Sequence, residues 1–151
     1  MIKQFIFSFI ATLTFGILFN IKGEKLFYSA LGGGISYLFY YVLLSAGYSQ
    51  ISSTFFVSIL IGTYGEVMAR VIKAPVTVFI ISAIIPLVPG GGLYYTLYYI
   101  ISENYSEALK YGMDTFQIAV IIVISILFVG TISKFINKIK KSADADSARE
   151  P

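Results

Sequence analysis

The sequence predicts an all-α integral membrane protein with five transmembrane segments. The fourth is a discontinuous helix broken at Pro86–Gly92, the N-terminus lies outside and the C-terminus inside. Three observations carry that prediction. Of 151 residues, 57% are hydrophobic and only 13% are charged, with a mean hydropathy of +0.82. Several apolar runs reach the length of a bilayer crossing, which places the chain among multi-span helical proteins. Second, the apolar stretch from Lys73 to Tyr99 is interrupted by Pro86-Leu87-Val88-Pro89-Gly90-Gly91-Gly92. Each proline removes a backbone donor and clashes with the carbonyl four residues back, and the glycines add a permissive backbone, so no ordinary helix runs through. Third, the basic residues are one-sided. Lys22, Lys25, Arg70, Lys73, Lys134, Lys138, Lys140, Lys141 and Arg149 fall on one side of a five-span chain, against Lys3 and Lys110 on the other. That is the positive-inside signature.

The first span is residues 2–21, with Lys22, Glu24 and Lys25 behind it. With only Lys3 ahead of it and no small-x-small site after it, it reads as an uncleaved anchor, not a signal peptide. The second span, 26–47, contains Gly32-Gly33-Gly34 and ends near Gly47. Ser52-Ser53 supply hydroxyls to cap the third helix, which runs to about Ile72. The fourth comprises two half-helices, Val76–Ile85 and Leu93–Ile101, around the break. Residues 102–114 (SENYSEALKYGMD) predict a short surface helix ended by Gly112. The fifth span is 115–136, closed by lysines, and residues 142–151 (SADADSAREP) predict a disordered polar tail. Residues 32–41 (GGGISYLFYY) echo 90–99 (GGGLYYTLYY), but the two runs sit at different distances from the preceding basic cluster. Coincidence in a Gly/Tyr-rich chain explains the echo better than duplication.

The third span carries the charges at membrane depth, Glu66 and Arg70, with Lys73 at its end. Four residues apart, Glu66 and Arg70 share a helix face and can pair. At roughly 1.5 Å per residue, Glu66 lies about 20 Å from Ser52, in the inner third of a bilayer. Two readings stand: an ion pair snorkelling to the headgroups, or a polar pair facing inward at the mouth of a pathway. A broken helix at membrane depth must be buried in protein or line a wet cavity, and transporters bind substrates at such breaks. A kinked packing site is the plainer alternative.

The chain has neither cysteine nor histidine, so thiol chemistry, imidazole relays, Ser-His-Asp catalysis and zinc sites are excluded. Glu66 and Asp114 form no spaced acid–base pair. No enzyme activity, metal or cofactor is expected. The basic residues flank membrane segments, so nucleic acid is not an expected partner; the lipid bilayer is.

Gly62-Thr63-Tyr64-Gly65-Glu66-x-x-Ala69-Arg70, then Lys73-Ala74-Pro75 and, eleven residues on, Pro86-Leu87-Val88-Pro89-Gly90 resemble the threonine/serine exporter family. More narrowly, they resemble the small membrane subunit of its two-component form, which corresponds to the C-terminal half of the family's long chains. The resemblance extends from the first span to about Lys141, with Ser82 standing where relatives often carry a proline. It implies that residues 1–141 are a transmembrane half-transporter domain of a multi-pass cell (inner or plasma) membrane protein. It also implies a larger partner subunit and export of small carboxylate-bearing metabolites, threonine and serine or a succinate-like dicarboxylate. The half-helix that follows the break would offer backbone N–H groups to a carboxylate. The expected substrate-binding residues are therefore Pro86, Pro89, Gly90, Gly91, Gly92, Tyr94, Tyr95 and Thr96, with Thr77 and Ser82 as further hydrogen-bonding groups. Glu66 with Arg70 is the expected coupling pair, through protons. Two alternatives remain open: a non-transporting scaffold or assembly subunit, and a homo-oligomeric channel.

Overall fold

Small residues set how closely the helices of this protein approach. The computed structural model describes residues 1–147, and among them the structure is entirely helical. The elements are α1 (Ile2–Leu18), α2 (Glu24–Ser45), α3 (Gln50–Val71), α4 (Val76–Ala83), a 3-10 turn (Ile85–Leu87), α5 (Gly90–Ile101) and α6 (Tyr105–Ser147). In mid-α2 the three glycines face three different side chains: Tyr64 of α3 lies over Gly32, Thr12 of α1 over Gly33, and Phe5 of α1 over Gly34. A Cβ at any of them would overlap its neighbour. Gly62 of α3 sits under Val129 of α6, and Gly65 under Ile80 of α4. Close backbone approach at small residues is how helices associate in lipid, where apolar burial gives no driving force. The largest buried apolar cluster is correspondingly small: Val57, Ile61, Ala83, Leu87, Ile118 and Ile122, with Phe79 buried apart from it. Hydroxyls stitch the rest together, with Ser29 donating to the Val78 carbonyl (3.0 Å) and Tyr64 to the Tyr28 carbonyl (2.7 Å).

Among the described residues, three helices are long and apolar enough to cross a bilayer: α2, α3 and α6 as far as Ile139. α4 with its 3-10 turn and α5 pass that test only as a pair, bent by 51°. α1 is apolar but has 17 residues. It stops short of the expected residue 21 because Asn20 turns left-handed (φ 59°) and Ile21 N–H returns to the Gly16 carbonyl (2.9 Å). The same left-handed terminator, which satisfies the last carbonyls of a helix, closes α2 at Gly47, α3 at Lys73 and α5 at Glu103.

Other boundaries also differ from expectation. Ser49, not Ser52-Ser53, caps α3, accepting from Ser52 N–H at 3.1 Å. The glycine triplet 90–92, expected within the break ahead of a half-helix from Leu93, is the first turn of α5. Gly112 does not end a surface helix: α6 runs unbroken for 43 residues. A glycine costs a helix interior about 1 kcal/mol relative to alanine, and here it accommodates the Thr96 methyl of α5. α6 continues into the stretch expected to be a tail, as far as Ser147; residues 148–151 lie outside the described part.

Helix directions follow from which residues meet. Gly62 meets Val129, and Glu66 meets Ser133, so α3 and α6 run in the same direction. Gln50, at the start of α3, lines a small cavity with Asp114 and Gln117 of α6. The chain between them therefore travels from the C-terminal end of α3 back to the level of its N-terminal end. α5 runs antiparallel to α6: Gly92 abuts Thr115, Thr96 abuts Gly112, and Tyr95 and Tyr99 stack on Tyr111 at 5.2 and 5.4 Å. It packs substantially against α6 alone and has no buried residue. Since Gln117 is level with the first residue of α3, α5 and the start of α6 form a hairpin projecting about 18 Å past the bundle.

Candidate functional site

Glu66 and Arg70 lie on one face of α3, and α6 brings a third polar group to them. Arg70 Nη2 is 3.0 Å from Glu66 Oε2 and donates to Ser133 Oγ at 2.6 Å. Ser133 in turn donates to Glu66 Oε2 at 2.5 Å. Arg70 Nη1 is anchored on the Glu66 carbonyl at 3.0 Å. Ser133 is buried, the Glu66 side chain is 20% exposed and that of Arg70 is 48% exposed. The guanidinium is thus held from one side and open on the other. It opens onto a cleft of about 500 Å³ between α3 and α6, lined by Thr63, Phe128 and Asn137 among others. Glu66 also lines a second cavity, of about 340 Å³, with Thr77 of α4 and Lys134 of α6. The Glu66–Ser133 contact stands between the two spaces. Glu66 is turned toward α6, whereas Arg70 keeps partial exposure.

The expected substrate residues are elsewhere. Val57 to Glu66 is about 13 Å of helix, and the apolar core around Val57 and Leu87 separates the cluster from the break. At the break, Pro86 lies in the 3-10 turn and Pro89 (φ −76°, ψ 60°) makes a tight turn in which Gly90 N–H bonds the Val88 carbonyl at 2.7 Å. Leu93 N–H bonds the Pro89 carbonyl (3.1 Å). Of the first four N–H groups of α5, from Gly90 to Leu93, those of Gly91 and Gly92 are left without a backbone acceptor. Nothing lies within 4 Å of where a Cβ on Gly90 or Gly91 would sit. Thr96 already donates to the Gly92 carbonyl at 2.7 Å. Tyr94 stacks on Tyr98, and Tyr95 on Tyr99 and Tyr111. Buried Ser82 donates to the Val78 carbonyl at 3.3 Å, whereas Thr77 lines the second cavity with Glu66. Among the described residues, no group of acidic side chains is placed to hold a metal.

The family described as Threonine/Serine exporter, ThrE, matches residues 4–132. The chain belongs to that family. No solved structure matches it. Membership makes the chain a transporter-type membrane protein, and nothing about it points to an enzyme. Within the exporter match lie Glu66, Arg70 and the whole of the break; Ser133 falls one residue beyond it. Ser133 was missed in the sequence because a lone serine in an apolar span is unremarkable. Its role depends on the register between α3 and α6, which no local pattern encodes.

Proposed function

We propose that this chain is one membrane subunit of a secondary exporter of small carboxylate-bearing metabolites, threonine and serine or succinate-like acids. It works with a larger partner subunit in the cell membrane and draws on the proton gradient. The observation that carries the reading is the Glu66–Arg70–Ser133 cluster. Ionisable side chains at membrane depth are costly and mark substrate or ion pathways, and this one opens onto cavities on both sides. Glu66 is the proton carrier in this reading. The charged groups around it are Arg70 on its own helix and Lys134 across the second cavity; α4 contributes Val76, Thr77 and Ile80 there.

The direction of α3 and α6 supports reading the bent pair as one broken crossing, which gives five spans. The basic residues then favour N-terminus outside and C-terminus inside. A partner is supported by α5, whose Leu93, Tyr94, Leu97 and Tyr98 stand exposed beyond the bundle and which, among the described residues, leans mainly on α6. Two places offer a substrate a hold: the break, where Gly91 and Gly92 present N–H groups, and the polar cleft.

Efflux of loaded threonine, serine and succinate from cells expressing this chain with and without the larger subunit tests the proposal. Efflux that needs both subunits and is lost in Glu66→Gln at equal expression is the expected result. Equal efflux without the partner would make the chain a self-sufficient channel. No efflux of any acid under either condition would make it a scaffold.

A further inference from the structure

We infer that the cleft between α3 and α6 is a binding site for a small zwitterion, whose carboxylate takes Arg70 and whose ammonium takes Glu66. The inference rests on the exporter reading and narrows it, since that reading leaves amino acids and dicarboxylates as equal candidates. Charge balance is the first argument. The cleft offers one cation and one anion, 3.0 Å apart, so its net charge is zero. A zwitterion exchanges one ion pair for two and leaves no charge unpaired, whereas stranding a charge in a partly desolvated site is strongly unfavourable. A dianion would set a second carboxylate against Glu66, a like-charge contact that counts against binding.

Geometry is the second argument. Arg70 Nη1 stays anchored on the Glu66 carbonyl when Oε2 is given up, so the guanidinium remains aimed at the cleft. Ser133 Oγ already contacts both charged groups and can follow either one. Thr63 and Asn137 supply polar lining for a hydroxyl on the ligand, and Phe128 supplies an apolar wall for a methyl. At about 500 Å³ the cleft is within the usual range for small-molecule pockets. The break has no comparable selectivity: the Gly91 and Gly92 N–H groups are donors alone, and would accept any carboxylate.

Equilibrium binding of radiolabelled L-threonine to the purified full chain in nanodiscs tests the site. Threonine methyl ester (cation only), 2,3-dihydroxybutyrate (anion only) and succinate (dianion) serve as competitors. Serine should compete like threonine, and the other three roughly 10- to 100-fold more weakly, the factor for losing one charge-assisted hydrogen bond. Glu66→Gln, close to isosteric, should lose threonine by the same factor, while Leu109→Ala, exposed on α6, should bind as the parent does; Gly91→Leu probes the break as the competing site. Size-exclusion profiles check that each variant is folded. Succinate competing on a par with threonine, threonine binding kept in Glu66→Gln, or binding lost only in Gly91→Leu would overturn the inference. No binding to this chain, with export by the two subunits intact, removes the site and leaves the transport reading standing. Binding as described without export of any acid keeps the site and removes the transport reading.

Discussion

The same substitution in the two glycine triplets should have opposite effects. In Gly33→Ala the new Cβ would lie 2.8 Å from Thr12 Cβ and 2.9 Å from Thr12 Cγ2. Thr12 is short, β-branched and fully buried, so it has no flexible end to swing away. Either α1 moves off α2 or Thr12 leaves its rotamer. Overpacking of this kind costs about 1–3 kcal/mol, against a helix-propensity gain of at most about 1 kcal/mol. The net expectation is a loss of about 1–2 kcal/mol, or roughly 2–8 °C in melting temperature for a chain of this size. In Gly91→Ala nothing stands within 4 Å of the new Cβ, so the propensity term acts alone and stability should hold or rise by up to about 1 kcal/mol. Thermal unfolding of both proteins in the same detergent, followed by circular dichroism, gives the comparison. Equal melting temperatures for the two variants would refute the tight α1–α2 crossing, and with it the different roles assigned to the triplets.

Three further outcomes are expected. Ser133→Ala removes a group that contacts both Glu66 and Arg70, and should lower stability by about 1–3 kcal/mol, read from the midpoint of denaturation in mixed micelles. Tyr64→Phe loses the bond to the Tyr28 carbonyl at a cost of about 1 kcal/mol in the same assay; a neutral result would mean that this bond adds nothing to the α2–α3 contact. A cysteine at Leu97, exposed on α5, should react with a bulky maleimide in the chain alone and be protected when the larger subunit is co-expressed, whereas unchanged labelling would mean the partner binds elsewhere.

Much of the helical architecture is legible in the sequence. Hydropathy marks α2, α3 and the centre of α6, because a bilayer demands long apolar runs. Proline chemistry accounts for the interruption between the 3-10 turn and α5 at Val88–Pro89, but not for Gly90–Gly92, which is helical. The i, i+4 spacing of Glu66 and Arg70 places them on one face, and the structure pairs them. Other features are not local. Whether Gly112 ends a helix depends on Thr96 packing there, and Gly32–Gly34 and Gly90–Gly92 are alike in sequence but opposite in role. One triplet is covered by α1 and α3; the other opens a helix on bare surface. The left-handed terminators at Lys73 and Glu103 carry no glycine to announce them. Ser133 acquires its meaning only from the register of two helices 67 residues apart along the chain.

The unbroken length of α6 has a mechanical consequence. The helix touches the projecting hairpin near Tyr111, crosses α3 at Val129 and ends its polar contact at Ser133. Between those ends Ile118 and Ile122 are packed in the core with Val57 and Leu87. Pivoting about Ile122, Tyr111 and Ser133 lie about 17 Å to either side. A partner that pushed the hairpin sideways by about 1 Å would swing Ser133 by about as much the opposite way, enough to turn its 2.5 Å bond to Glu66 into one at the edge of hydrogen-bonding range. A single rod of helix thus ties a displacement outside the bundle to the hold on one carboxylate.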